Sequence, residues 1–261
     1  MHNFDFVKPA SIADAVKAMS ADGAQALSGG QTLMPTMKQR LAAPSVLVSL
    51  TGIPEMKGVC LNGRVLEIGA ATPHAVVAAE AAAHYPALAK LAGGIGDPAV
   101  RNRGTIGGSL ANNDPSACYP SAVLASGATV VTNRREIAAD DYFQGLFSTA
   151  LEEGEIITLV RFPIPDRAAY AKFDQPASRF ALTGAFVAKY VGGVRVAITG
   201  ASEGGVFRWT DAEAALSRDF SAGALAGLKA PADGMISDLH GSSAYRANLV
   251  KVMTGRAVQA A

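Results

Sequence analysis

The sequence predicts an α+β protein, because stretches with the period of a strand and stretches with the period of a helix follow one another along its 261 residues. Hydrophobic residues make up 49% of the chain and charged residues 17%, which supplies a substantial core and argues against disorder. No segment repeats with a period of about 20 to 50 residues, so a solenoid is not indicated. The length suits one large domain or two smaller ones.

The charge balance and the cysteine content limit the classes of partner. Lys and Arg number 23 against 22 Asp and Glu, so no global field favours nucleic acid or an acidic membrane surface. The N-terminus lacks a secretory pattern and no apolar run is long enough to span a bilayer, so we expect a cytoplasmic protein. Two cysteines are too few for a four-thiolate iron–sulfur cluster, so such a centre would belong to another chain.

Hydrophobic periods and turn residues give the order of the predicted elements. The first part of the chain contains a helix over about 12–21 capped by Ser11, a strand at 24–27, a short helix from about residue 32, a strand at 46–48, a hairpin at 59–66 with a type I′ turn at Asn62-Gly63, and helices over about 73–84 and 86–91. A glycine-rich stretch without a period follows at 93–109, and then strands at 128–132 and 156–162. Beyond the break at Pro163-Ile164-Pro165 we predict strands at 183–191 and 194–201, mixed helical segments and a final helix over about 243–257.

The stretch Ser28-Gly29-Gly30-Gln31-Thr32 joins a predicted strand to a predicted helix. A glycine pair alone is more often an ordinary tight turn. Here the context favours a binding loop, because a strand that leads through glycines into a helix presents unpaired backbone N–H groups, which suit a phosphate. Glycine also lets a phosphate approach without a Cβ in the way.

A second stretch, Thr105-Ile106-Gly107-Gly108-Ser109, again places adjacent glycines between hydroxyl side chains. The spacing of the first loop does not match the dinucleotide fingerprint of the doubly wound fold, so a nicotinamide site of that type is disfavoured. Two such loops suit one pyrophosphate held from both sides.

At these residues the sequence resembles the FAD-binding subunits of the molybdenum hydroxylases, the family of xanthine dehydrogenase, and most of all the medium subunits of carbon monoxide dehydrogenases. The first loop resembles the family's Ala-Gly-Gly-His-Ser loop, with Gln31 and Thr32 keeping hydrogen-bonding side chains, and residues 105–115 resemble its second FAD loop. Arg101 to Gly104, Ala177 to Arg179 and Tyr245-Arg246 extend the similarity over the whole chain.

The resemblance implies an FAD-binding domain of the PCMH type over residues 1–165, made of α+β subdomains at about 1–56 and 57–165. It implies a C-terminal domain over 166–261 with a three-stranded antiparallel sheet and helices. The implied cofactor is FAD, its pyrophosphate held mainly by backbone N–H groups of both loops. The implied binding residues are Ser28, Gly29, Gly30, Gln31, Thr32, Leu33, Thr105, Ile106, Gly107, Gly108, Ser109, Asp114, Lys172 and Phe180.

Several of these side chains allow two interpretations. Cys118 stands where relatives commonly carry an acid near the adenosine ribose, and a thiol is a poor acceptor, so Asp114 is either its substitute or only the cap before Pro115. Lys172 matches a lysine near the flavin ring, where its charge would raise the flavin potential, or it is a solvated strand lysine. Phe180 either covers the flavin ring or belongs to the core.

Other polar residues near the loops are not assigned to the site. For Arg101 and Arg103 we expect ion pairs with loop carboxylates such as Asp97 at least as readily as phosphate contacts. His74 and His84 lie ten residues apart and on different faces of a predicted helix, which argues against a shared metal or catalytic pair. We assign no residue to catalysis or to metal binding.

The function implied by the resemblance is electron transfer within a molybdenum hydroxylase complex. Electrons would reach FAD from a small 2Fe-2S subunit and leave to an external acceptor such as a quinone or NAD, in a dimer of heterotrimers that includes a large molybdenum-cofactor subunit. The substrate would belong to the large subunit, with carbon monoxide expected first, ahead of aromatic heterocycles and aldehydes. The alternative is a self-contained FAD-dependent oxidase or dehydrogenase, although the C-terminal part shows no convincing catalytic acid–base set.

Overall fold

Four β-sheets and ten α-helices make up the computed structural model, which describes residues 1–261. In chain order the elements are β1 (Asp5–Val7), α1 (Ile12–Met19), β2 (Ala24–Leu27), α2 (Leu33–Lys38), β3 (Val46–Ser49), β4 (Val59–Asn62), β5 (Val65–Gly69), α3 (His74–Glu80), α4 (Pro86–Gly93), α5 (Pro98–Arg101), α6 (Ile106–Asn112), α7 (Tyr119–Ser126), β6 (Thr129–Thr132), β7 (Glu136–Ala138), α8 (Ala139–Tyr142), β8 (Phe143–Gly145), β9 (Ser148–Thr149), β10 (Ile157–Pro163), β11 (Arg167–Asp174), β12 (Ala181–Tyr190), β13 (Gly193–Thr199), β14 (Phe207–Arg208), α9 (Thr210–Arg218) and α10 (Ser243–Ala260). None of the helices has the length and hydropathy needed to cross a bilayer.

The first sheet is parallel and places the first glycine loop. β3 lies between β1 and β2, and both neighbours run parallel to it. Because β2 runs into Ser28 and then into α2, the loop lies at the carboxyl end of a parallel strand, the edge where ligands bind in sheets of this kind.

The second sheet is antiparallel, with strand order β4-β5-β10-β6-β7. The β4–β5 hairpin pairs Asn62 with Val65, so the central turn residues are Gly63 and Arg64. Only Gly63 has a positive φ, 59°, whereas a type I′ turn needs positive φ at both central residues. The predicted type I′ turn at Asn62-Gly63 is therefore wrong, although the hairpin itself is present.

The third sheet is antiparallel with order β11-β12-β13-β14, and β8 and β9 form a separate hairpin. The fourth strand of the third sheet, β14, has only two residues, which is too short to show a period in the sequence. The sheet thus extends the three-stranded one expected from the family by one short edge strand. The boundary predicted at residue 165 falls in the connection between β10 and β11.

Two hydrophobic clusters form the interior. The larger, of 39 buried residues, fills the space around the first two sheets, α3, α4, α6 and α7 and reaches the third sheet. The smaller, of 20 buried residues, lies between the third sheet, α9 and α10. The sequence did not predict α7, because all eight of its residues are buried and a helix buried on every side shows no amphipathic period.

Candidate functional site

The two glycine loops together line a cavity of about 840 Å³, a volume typical of sites for sizeable small molecules. The lining contains every implied binding residue except Ile106 and Lys172. Ile106 is fully buried in the core beneath the second loop. The structure therefore brings together twelve of the fourteen residues that the family resemblance implied.

The loops touch each other directly. The hydroxyl oxygens of Ser28 and Thr105 lie 2.8 Å apart, within hydrogen-bonding distance. A Cβ on Gly29 would overlap the carbonyl oxygen of Arg103, so only glycine allows the first loop to approach the residues before the second. One on Gly107 would lie 2.6 Å from the Ala70 Cβ. Gly29 and Gly107 are therefore required because neighbouring atoms pack where a Cβ would lie, and not because a phosphate has to approach them.

Backbone N–H groups are available on the first loop. None of the five consecutive N–H groups of residues 29–33 donates to an acceptor in the protein. Gly30 has φ 71°, which is favourable for glycine and turns the chain at the centre of this run. Unpaired backbone donors beside a cavity call for a ligand or water, because a buried orphan donor is costly. With only six residues, α2 adds a small dipole, so the amides themselves supply the attraction for an anion.

The second loop is different, because its N–H groups are mostly satisfied within the chain. Ile106 donates to the Thr72 carbonyl, Gly107 to the Ala70 carbonyl and Ser109 to the Thr105 carbonyl. The Gly108 N–H donates to the Thr105 hydroxyl at 3.2 Å, which caps α6. The expectation that both loops supply amides is therefore wrong for most of the second loop, which offers the Ser109 hydroxyl and an open glycine surface at Gly108.

Asp114 lines the cavity and also caps the turn after α6. Its Oδ1 accepts a hydrogen bond from the Ser116 N–H at 2.8 Å. Both interpretations of Asp114 from the sequence are compatible with this geometry, since one carboxylate oxygen serves the turn and the other makes no hydrogen bond within the chain.

Lys172 lies outside the cavity lining, and its side chain is only 8% exposed. Its ammonium donates to the carbonyl oxygens of Gly94 and Arg179, each at 2.7 Å, and pairs with the Asp174 carboxylate at 2.9 Å. The solvated strand lysine expected as one alternative is therefore wrong. Asp174 balances the charge of Lys172, and the two hydrogen bonds of Lys172 connect the end of α4 to the turn before Phe180.

Cys118 lies in the cavity wall and is 5% exposed. Its Sγ is 3.9 Å from the Lys172 ammonium. Burial raises the pKa of the Cys118 thiol, while the nearby Lys172 charge lowers it by less. The group facing the cavity is therefore a neutral thiol where relatives are expected to carry an acid.

Phe180 and Arg179 form one edge of the cavity. Phe180 is half-buried and packs edge-on against His240, with ring centroids 5.5 Å apart, and it also borders the smaller core. Arg179 is exposed, has φ 61°, and its guanidinium makes no ion pair. The sequence did not place Arg179 in the site, because a left-handed non-glycine residue has no local signature in the sequence.

The basic residues before the second loop do not form the expected ion pairs. Arg101 donates to the carbonyl oxygens of Ile95 and Gly96, at 3.1 and 2.8 Å. The Asp97 carboxylate instead accepts from the Val100 N–H and caps α5. Asp97 is used as a helix cap, so the predicted ion pair with a loop carboxylate is wrong.

Glu155 lines another part of the cavity but is fully engaged by the protein. Burial raises the pKa of this carboxyl, yet hydrogen bonds from Arg135, the Glu152 N–H and Thr132 outweigh burial and hold the pKa at about 2. The carboxylate thus anchors the β6–β7 hairpin. Apolar side chains of Leu50, Met56, Leu151 and Ile156 also border the cavity.

Comparison with known proteins places this geometry in a family. The model of the FAD binding domain in molybdopterin dehydrogenase matches residues 2–165. The chain is 35% identical to the nicotine 6-hydroxylase medium subunit of Paenarthrobacter nicotinovorans, covering 97% of this chain and 95% of the relative. It is 34% identical to the carbon monoxide dehydrogenase medium chain of Afipia carboxidovorans, over 99% of this chain and 96% of the relative.

Solved structures show the same similarity in three dimensions. A carbon monoxide dehydrogenase chain from Hydrogenophaga pseudoflava superposes with a TM-score of 0.88 at 33% identity, over 100% of this chain and 97% of that one. A chain of quinoline 2-oxidoreductase from Pseudomonas putida 86 also gives a TM-score of 0.88, at 30% identity and the same coverage. The likeness therefore includes the third sheet and α10, beyond the part matched by the family model.

Proposed function

Because the chain belongs to the family of FAD-binding medium subunits of molybdenum hydroxylases, we propose that it binds FAD in the cavity between its two glycine loops and transfers electrons within a multi-subunit oxidoreductase. The family match, the full-length relatives and the structural similarity support this function together. The observation that carries the location of the cofactor is the run of five unpaired N–H groups at residues 29–33 along the cavity.

The residues present fit a dinucleotide. Free amides of the first loop suit phosphate oxygens without any Lys or Arg, which agrees with the near-neutral charge of the chain. The Ser109 and Thr32 hydroxyls have no intramolecular role as caps and border the same space. Phe180 supplies an aromatic face, and the thiol of Cys118 and the carboxylate of Asp114 supply polar edges.

FAD supplies chemistry that the chain itself lacks, since it accepts electrons singly and releases them singly or in pairs. The protein residues hold and orient the cofactor and exclude water from it. Lys172 acts in this scheme by fixing the segments that end in Gly94 and Arg179, and its charge, although paired with Asp174, would still favour added negative charge on a nearby ring.

Relatives named as medium subunits imply partners that are small and large subunits. We assign the electron source to a 2Fe-2S small subunit and the substrate to a molybdenum-cofactor large subunit, in a dimer of heterotrimers located in the cytoplasm, with a quinone, NAD or another carrier as acceptor. Near-equal identity to a nicotine hydroxylase subunit and a carbon monoxide dehydrogenase chain, 35% and 34%, supports a medium subunit that does not itself select the substrate. Carbon monoxide therefore stays one candidate substrate among several.

A self-contained oxidase is not favoured, because the full-length relatives are named as single subunits or chains of larger dehydrogenases and hydroxylases. The experiment that separates the two functions uses the purified chain reconstituted with FAD. We expect the flavin to be reduced rapidly by the reduced iron–sulfur partner and not by organic substrates alone. Reduction by a small organic substrate without other chains would overturn the subunit assignment, and failure to bind FAD would overturn the cofactor site.

A further inference from the structure

His74 occupies a fixed position in the cavity wall. It is the first residue of α3, is 4% exposed, and its backbone N–H donates to the Gly104 carbonyl at 2.9 Å. Its ring packs against Tyr119, with centroids 5.3 Å apart. A Cβ on Gly104 would lie 2.7 Å from His74 Nε2, so the glycine before the second loop leaves the space that this ring uses.

The imidazole has no hydrogen-bond partner within the chain. Nδ1 is unpaired but fully enclosed beside the Tyr119 ring, whereas Nε2 is also unpaired and is not among the fully buried atoms, so Nε2 is the nitrogen open to the cavity. The neighbouring Tyr119 hydroxyl is also buried and unpaired. Most polar groups at buried sites in folded proteins are paired, so the unpaired Nε2 in the cavity wall indicates a partner that comes from outside the chain.

The charge state limits what that partner is. Burial, and to a smaller degree the positive charge of Arg101, lower the pKa of His74 to about 4. At neutral pH the ring therefore carries one N–H donor and one acceptor and no charge. A neutral ring suits a hydroxyl or an amide edge, which both give and accept hydrogen bonds, better than a phosphate oxygen, which only accepts. A metal ion is not indicated, since no three His, Cys, Asp or Glu side chains are grouped to hold one.

We infer that His74 is a binding residue for the dinucleotide, and that its Nε2 hydrogen-bonds a neutral hydroxyl or amide group of the bound cofactor. This inference rests on the proposed binding of FAD in the same cavity. Two parts of the site then bind different parts of the cofactor. The amides of residues 29–33 bind the phosphates, and His74 binds an uncharged part.

The test compares His74→Phe, which keeps a flat ring, with His74→Gln, which keeps a hydrogen-bonding group near the position of Nε2. His84→Phe is the matched control, because His84 is exposed and lies outside the cavity. We expect His74→Phe to weaken FAD binding about tenfold, the value of one lost hydrogen bond, and His74→Gln to recover most of the affinity. The melting temperature of the cofactor-free protein should stay equal or rise in His74→Phe, because a buried unpaired polar group is removed.

A second measurement does not depend on any variant. In protein labelled with ¹⁵N-histidine, addition of FAD at neutral pH should shift the ring-nitrogen resonances of His74 while the ring stays neutral. FAD affinity of His74→Phe within twofold of the parent, or His74 resonances unmoved by saturating FAD, would overturn the inference. If the parent chain binds no FAD at all, the proposed function fails instead, so the two failures are distinguishable.

Discussion

Ser28 and Thr105 lie 77 residues apart in sequence, yet their hydroxyl oxygens are 2.8 Å apart and join the two glycine loops. Thr105 also caps α6 through the Gly108 N–H. One threonine therefore fixes both the start of the helix that carries the second loop and the distance between the loops.

The first prediction is a measurable coupling between these two hydroxyls. Ser28→Ala should lower the free energy of unfolding by about 1 kcal/mol, and Thr105→Val by about 2 kcal/mol because it also loses the helix cap. The double variant should lose about 1 kcal/mol less than the sum, since the shared hydrogen bond is lost only once. Chemical denaturation of all four proteins without cofactor checks this, and strict additivity would contradict it.

Substitution by alanine should affect stability at Gly29 and FAD affinity at Gly108. A Cβ on Gly29 overlaps the Arg103 carbonyl, so Gly29→Ala should cost about 2 kcal/mol of stability by forcing the loops apart. A Cβ on Gly108 would meet no backbone atom but only the side chains of Thr105, with Oγ1 at 3.1 Å, and Ser28, with Cβ at 3.8 Å, so Gly108→Ala should change the stability of the cofactor-free protein by much less, by about 0.5 kcal/mol at most. The expected loss there is in FAD affinity, measured by fluorescence titration. Equal destabilisation by both substitutions would contradict the assignment.

This contrast shows how far the sequence could predict the site. Local order is visible in a sequence, so the strand, the glycines and the helix start around Ser28 were predicted, as was the pairing of two loops. The contact of Gly29 with Arg103, and of Gly107 with Ala70, depends on how distant segments pack, which no local pattern records. The asymmetry between free amides on one loop and satisfied amides on the other has the same origin.

The fold was predictable to a similar extent and for similar reasons. Strands and helices with one buried face showed their periods, whereas α7 is buried on every side and β14 has two residues, so neither left a pattern. His74 illustrates the limit for single residues. A histidine after Thr72-Pro73 looks like an ordinary helix residue, and only the tertiary structure shows that it is buried without a partner.

Lys172 should act chiefly by connecting the segment that ends in Gly94 to the turn at Arg179. Lys172→Met keeps the length of the side chain but leaves the Gly94 and Arg179 carbonyls without their donor, which should cost about 2 kcal/mol and increase proteolysis within 175–180. If its charge also acts on the flavin, the flavin potential of the variant should fall. Lys189→Met, a strand lysine outside the cavity lining, is the control. Unchanged stability and unchanged protease resistance of Lys172→Met would contradict this connecting role.

The two cysteines provide a built-in comparison for the cavity. Cys60 is exposed and Cys118 is buried in the cavity wall, with its pKa raised mainly by burial. A thiol-alkylating reagent should therefore modify Cys60 quickly and Cys118 slowly, because the reactive form is the thiolate. FAD should slow Cys118 further and leave Cys60 unaffected, as judged by mass spectrometry of the peptides. Protection of neither cysteine by bound FAD would place the cofactor away from Cys118.

His74 should also make the stability of the cofactor-free protein depend on pH. Its pKa falls from 6.5 to about 4 on folding, so the unfolded chain binds the proton more tightly. The corresponding stability is fully present above pH 6.5 and is lost as the pH falls toward 4, by about 3 kcal/mol in total. Carboxyl groups such as Glu155 make stability depend on pH mainly below pH 4.5, because the pKa of Glu155 is 4.5 in the unfolded chain and about 2 in the folded one. Comparison with His74→Phe separates the effect of the imidazole from that of the carboxyl groups. The difference in unfolding free energy between the parent and this variant should change by about 3 kcal/mol between pH 7 and pH 4, in denaturation curves measured at both pH values. A gap that stays constant over that range would show that His74 is protonated equally in the folded and unfolded chains.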